Sequence, residues 1–105
     1  MADILTSART QPLTRDQVAD RVRAVIRTEM KMDMPVDRMT ESASLTDDLG
    51  LDSLDIVACV IDLETSFDIE LTDAAMATIV TLGDATDAVI AALASAGRPV
   101  AEGVA

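Results

Sequence analysis

A single aromatic side chain, Phe67, serves a chain of 105 residues in which 50% of positions are hydrophobic. The interior must therefore be assembled from Leu, Ile, Val, Met and Ala. Sheets lean on aromatic and β-branched side chains, whereas Leu, Met and Ala are strong helix formers. The mixture favours helices, and the length suits one small domain. Cys59 is the lone cysteine, so no intramolecular disulfide can form and nothing ties the chain to an oxidising compartment.

Helical spacing and start signals divide the chain into four helices. Thr14-Arg15-Asp16-Gln17 has the form of a capping box. Val18, Val22, Val25, Ile26 and Met30 follow at helical spacing, which predicts helix one over about 14–31 with Arg21, Arg23, Arg27 and Glu29 on its polar face. Pro35 and a dense run of Ser, Thr, Asp and Gly predict a long loop over 32–51, anchored by Met34, Val36, Met39, Leu45 and Leu49. Helix two is expected from Ser53 to Ser66 behind an Asp52 N-cap. Thr72 or Asp73 caps a short third helix with Met76, Ile79 and Val80 as its apolar residues. Thr81-Leu82-Gly83-Asp84 opens helix four, and Gly97 with Pro99 stops it. FDIEL alternates like a strand but stands alone, which argues against a sheet. The expected architecture is an all-α, four-helix domain over 14–97, with three longer helices and one short one, a flexible leader over 1–13 and a flexible tail over 98–105.

The formal charge of −11 is unevenly placed. Five of the eight basic residues lie between Arg15 and Lys31, and from Met39 to Gly97 twelve acidic residues face no Lys or Arg. Such a surface repels nucleic acid and anionic lipid and attracts partners with basic patches. The plainer reading of the same charge is solubility. Histidine is absent, which removes the commonest general base and metal ligand. No P-loop, GxGxxG, CxxC or regular calcium loop is present, so no metal site is expected and catalysis by this chain alone is disfavoured. No apolar run is long enough for a membrane span, and a cytoplasmic monomer is the simplest expectation.

Within DDLGLDSLD, residues 47–55, one hydroxyl stands between aspartates at a helix start. With Asp52 as N-cap, Ser53 takes the first helical position, beside amide N–H groups that lack intrahelical partners. Another enzyme reaches such a serine easily, and a phosphate ester there gains about 0.3–1 kcal/mol from the helix N-terminus. The bland alternative makes Ser53 the N-cap itself. Either way Ser53 is no self-sufficient nucleophile, because no histidine exists to activate it. On helix two, Asp55, Cys59, Asp62 and Ser66 share one stripe, Ile56, Val60, Leu63 and Phe67 a second, and Leu54, Val57, Ala58 and Ile61 a third. A helix apolar on two sides is central in a bundle or keeps one side for a partner.

DDLGLDSLDIV, then FDIELTD, then TIVTLGDATDAV resembles the acyl carrier protein family over about residues 16–95. Asp47, Asp48, Leu49, Gly50, Asp52, Ser53, Leu54 and Asp55 match the central block, and Phe67, Leu71 and Asp73 match later positions. The resemblance implies a four-helix carrier, not an enzyme, with 4′-phosphopantetheine attached covalently to Ser53 between Asp52 and Leu54. It implies acyl groups held as thioesters and shuttled between enzymes of fatty-acid, lipid or polyketide-type synthesis. Partners would be a phosphopantetheinyl transferase and acyl-transfer and chain-elongation enzymes with basic docking patches. They would meet helix two at Asp52, Leu54, Asp55, Val57, Ile61, Asp62 and Glu64. Val60, Leu63, Phe67 and Ile79 would line the core or a cleft sheltering the acyl chain. The ACVI run departs from the family's more acidic middle of this helix, with Ala58 where glutamate is common, and points to a dedicated carrier. Met30, Met32, Met34 and Met39 read as core filler or as an adaptable lining. The same serine would serve an aminoacyl or peptidyl carrier, although the Gly-Gly-x-Ser usual there is absent. An unmodified helical adaptor binding through helix two is the rival of another class.

Overall fold

The computed structural model describes residues 13–98 and 100. Among them are four α-helices and no strand: α1 Arg15–Met30, α2 Ser53–Phe67, α3 Asp73–Ala77 and α4 Leu82–Ser95. Side-chain caps open all four. Thr14 Oγ1 accepts the Gln17 amide at 3.2 Å while Gln17 Oε1 accepts the Thr14 amide at 2.9 Å. Asp84 and Thr81 repeat this reciprocal pair at the head of α4, and Thr72 Oγ1 accepts the Ala75 amide at 3.0 Å on α3. Lys31 and Asp68 end α1 and α2 in the left-handed region, at φ 52° and 56°.

The long helices enclose one aliphatic core. α1 supplies Val18, Val22 and Ile26, α2 supplies Val60, Leu63 and Phe67, and α4 supplies Leu82, Val89 and Leu93, all buried. Each such side chain stabilises the fold by about 1.5–3 kcal/mol. α1 packs against both α2 and α4 and so forms the spine of the bundle. Thr86 is the one buried polar residue among the described ones, and its hydroxyl donates to the Leu82 carbonyl at 3.1 Å.

The 32–51 loop is packed rather than loose. Met39, Leu45, Leu49 and Leu51 are buried, and Met34 is half-buried. Val36 is not the anchor the sequence suggested: it opens a 3-10 turn, Val36–Arg38, and stays 44% exposed. The loop is pinned to the start of α4 by three backbone bonds: Leu45 N–H to Val80 O, Leu82 N–H to Ala43 O and Gly83 N–H to Glu41 O, at 2.9, 3.0 and 2.8 Å. Those bonds leave Val80 exposed beyond the end of α3, although Ile79 is buried. FDIEL forms no strand; Asp68 turns the chain, and Glu64 Oε2 accepts the Leu71 amide at 2.8 Å.

Three of the four arginines of α1, Arg15, Arg21 and Arg23, are structural arms rather than a free polar face. Arg15 bridges Glu41 and Asp87, which raises its proton affinity further. Arg21 donates to the Ser66 carbonyl at 2.8 Å and lies over the Phe67 ring, 5.0 Å from its centroid. Arg23 donates to the Met39 carbonyl at 2.6 Å. The expected leader lies outside the described residues except for Leu13, which packs on the core. The expected tail begins within them: Arg98 and Val100 both contact the body, so the ordered domain runs past residue 97.

Candidate functional site

A single tight turn delivers Ser53. Ser44 Oγ accepts the Asp47 amide at 3.1 Å, and Asp48 Oδ2 accepts the Ser44 amide at 2.7 Å. Gly50 then reverses the chain at φ +77°, a conformation that costs a residue with a Cβ about 1–2 kcal/mol. The Leu51 amide bonds back to Leu45 O at 2.9 Å. Buried Leu49 and Leu51 flank Gly50 and hold the turn to the core, so the next residues project outward.

Asp52, not Ser53, is the N-cap. Asp52 Oδ1 accepts the Asp55 amide at 2.8 Å, and Asp55 Oδ2 accepts the Asp52 amide at 3.1 Å. The Asp52 cap was expected, but its reciprocal pairing with Asp55 was not, because the start signature opens on Ser or Thr. Its consequence is chemical. The Ser53 hydroxyl is relieved of capping, is exposed, and makes no hydrogen bond among the described residues. The amides of Ser53 and Leu54 sit in the first turn, where a helix has no internal acceptor for them.

The remaining residues of α2 sort by stripe. Leu54, Val57 and Ile61 are 78%, 42% and 54% exposed and form an outward apolar line. Val60, Leu63 and Phe67, with Ile79, are closed into the core. Asp55, Asp62 and Ser66 are half-buried and Cys59 is buried, because their stripe faces α1. There Asp62 lies against Glu29 and holds its carboxyl above the usual carboxylate range. Burial first, then Glu29, Asp62 and Asp55, pushes the Cys59 thiol up to about 12, which leaves it unreactive. Glu64 is engaged with the Leu71 amide. Asp62 and Glu64 therefore point away from the outward line that the sequence grouped them with.

A cleft of about 600 Å³ opens between the segment after α2 and the second half of α4, lined by Ile69, Leu71, Ala75, Ala88 and Ala92 among others. It lies at the far end of α2 from Ser53 and does not include Val60, Leu63, Phe67 or Ile79. Among the described residues no group of three or more His, Cys, Asp or Glu side chains could hold a metal, and no helix is long and apolar enough to cross a membrane.

An exposed serine thus stands at the head of a capped helix on a four-helix domain. The family described as the phosphopantetheine attachment site matches residues 20–89. The fold is similar to a candidate acyl carrier protein from Mycobacterium tuberculosis, at 30% identity and a TM-score of 0.63, over 69% of this chain and 93% of that one. It is also similar to the thermally stable acyl carrier protein of Enterococcus faecalis, at 30% identity and a TM-score of 0.62, over 76% of this chain and 99% of that one. The chain belongs to the acyl carrier protein family, whose members carry phosphopantetheine covalently and are not themselves catalysts.

Proposed function

We propose that Ser53 is the attachment residue and that the protein shuttles acyl groups between enzymes of fatty-acid, lipid or polyketide-type synthesis in the cytoplasm. The observation that carries this reading is the release of the Ser53 hydroxyl by the Asp52–Asp55 box. Attachment forms a bond from Ser53 Oγ to the phosphorus of coenzyme A, breaks the pyrophosphate link and releases 3′,5′-ADP. The serine proton leaves to a base on the transferase, since this chain has no histidine. The first-turn amides and the positive end of α2 suit the phosphodiester that results. When bound, the arm supplies a thiol that carries the acyl group as a thioester.

In this reading Asp47, Asp48 and Asp52, all exposed around Ser53, meet basic side chains of the transferase and of acyl-transfer and chain-elongation enzymes. Leu54, Val57 and Ile61 supply apolar contact. Asp55 stays with the cap. A cargo chain entering the bundle would have to part Val60, Leu63, Phe67 and Ile79, which are in contact here. The test is incubation with coenzyme A and a broad-specificity phosphopantetheinyl transferase, followed by intact mass. One phosphopantetheine gained by the wild type and none by Ser53→Ala supports the assignment. Equal gain by both removes Ser53 from it.

A further inference from the structure

The second half of α4 is unusual for a helix at a surface. From Ala88 to Gly97 no residue is charged, although the chain carries a formal charge of −11. The last acid of α4, Asp87, is bridged by Arg15. α1 and α2 pack on the inner side of α4, where Val89 and Leu93 are buried. Its outer side shows Ala91, Ala94, Ser95 and Ala96, all exposed and small. A helix without a charged face is ordinarily covered on every side. The neighbour that could cover this one, α3, is only five residues long. What remains is the cleft of about 600 Å³ between α4 and the segment 68–75, with Ala75, Ala88 and Ala92 in its lining. Asp68 and Glu70 are exposed on the lip opposite α4, with Asp73 beside them, and none of the three is in an ion pair among the described residues. Arg98 stands at one end, its guanidinium held on the Phe67 and Asp68 carbonyls.

We propose that this cleft is a tethering groove for one amphipathic helix of a partner protein, apolar along its centre and basic along one flank. Charge complementarity argues for that occupant. Lysines or arginines on one flank would meet Asp68, Glu70 and Asp73, while the flank over α4 would meet no charge. Ala88, Ala92 and Ala96 recur at i, i+4 and i+8. Such a row makes a groove for the ridge of a second helix, and small side chains let the two axes come close. This is the way an amphipathic helix fills an apolar groove. A strand has no place to add, because the described residues hold no sheet edge. The cleft lies at the far end of α2 from Ser53. One protein can therefore hold the domain by this groove while others reach the serine. A tether of that kind raises the local concentration of the carrier at the protein that holds it.

The probe is a synthetic helical peptide with leucines at i, i+4 and i+7 and lysines on one flank, beside a twin that carries glutamates for the lysines. Each is titrated into the isotope-labelled full chain. Amide shifts are expected within 68–75 and 88–96 with the lysine peptide, and weaker binding with its twin. Glu70→Lys is expected to weaken the lysine peptide by about fivefold. Ala92→Leu and the exposed Ala96→Leu, which fill the groove, are each expected to weaken it by about tenfold. Thermal melts show that these variants are folded. Ser53→Ala is expected to bind unchanged, and wild type saturated with peptide to gain phosphopantetheine within about twofold of its free rate, as distant sites do. No shift, shifts confined to the outward side of α2, equal binding of the two peptides, or a block of mass gain by the peptide overturns the tether. So does tighter binding after residues 101–105 are removed, which assigns the groove to those residues. A concentration-dependent dimer that Ala96→Leu abolishes also overturns it and assigns the groove to a second copy. Absence of mass gain by wild type without peptide, beside an active control, instead overturns the carrier reading and leaves the groove standing.

Discussion

Arg98 reaches from beyond α4 to the carbonyl oxygens of Phe67 and Asp68, at 2.7 and 3.1 Å, and closes the far end of the helix that Ser53 opens. That helix has no basic residue in its own last turn. Its terminal carbonyls carry the negative end of the helix dipole and need donors. Two arginines from elsewhere supply them, Arg98 on Phe67 and Asp68 and Arg21 on Ser66. The Ser53 helix is thus capped by aspartates at one end and by imported guanidinium groups at the other.

Arg98→Ala should cost about 1–2 kcal/mol of stability, the usual worth of charge-assisted bonds to part-buried carbonyls. Arg98→Lys should recover only part, since an ammonium lacks the guanidinium's fork. Urea unfolding of the three proteins measures this. A midpoint unchanged in Arg98→Ala would show that the contact is satisfied equally well by water.

Gly83 meets the long loop where a side chain has no room. A Cβ there would lie 3.0 Å from the Glu41 carbonyl oxygen, which already accepts the Gly83 amide. Alanine would gain about 0.5–1 kcal/mol of helix propensity. Moving a bonded backbone carbonyl costs about 1–3 kcal/mol, and that cost should win. Gly83→Ala is therefore expected to melt earlier than wild type; a higher melting temperature would mean that the loop yields freely.

The Glu29–Asp62 pair sets a pH dependence. Asp62 raises the Glu29 pKa in the folded state, so the fold binds protons more tightly than the unfolded chain does. This contribution is fully present below the unfolded pKa and is lost as pH rises through the folded one. Lys31 opposes it and Asp55 adds to it. Glu29→Gln should flatten the decline in stability on going from mildly acidic to neutral pH. Unfolding midpoints across that range decide it, and parallel wild-type and variant curves would remove the pair from the account.

What could be read in advance was local. Thr14 with Gln17 and Thr81 with Asp84 announce helix starts within four residues, and the structure places caps on both. The apolar spacing likewise picks out Val18, Val22 and Ile26 on α1 and Val60, Leu63 and Phe67 on α2, all buried. The misreadings involve partners far away in sequence. Val80 looked like core, but its carbonyl is taken by Leu45, thirty-five positions earlier, which holds it at the surface. Glu64 looked free, yet it bonds across the turn to Leu71. Nothing near Arg98 signals that it will cap a helix ending at Phe67. At the site, Ser53 and Leu54 stood out by pattern, whereas the freedom of the serine hydroxyl depended on the pairing of Asp55 with an Asp52 cap, where the start signature opens on Ser or Thr.

Salt should raise the melting temperature. Twelve acids and no base occupy residues 39–97, and the ion pairs among the described residues involve only Arg15 and Arg23 on the basic side. Repulsion among the acids is long-ranged and exposed, so it is screened as the Debye length falls from about 10 Å at 0.1 M to about 3 Å at 1 M. The Arg15 pairs are exposed too and weaken over the same range. Repulsive pairs far outnumber attractive ones, so the net effect should be stabilising. Melting curves in rising sodium chloride test this, with Arg15→Ala as a second protein. Removing Arg15 should steepen the rise, because only repulsion then remains to be screened at that corner. A wild-type melting temperature that falls with salt would show instead that the arginine arms outweigh the acids they bridge.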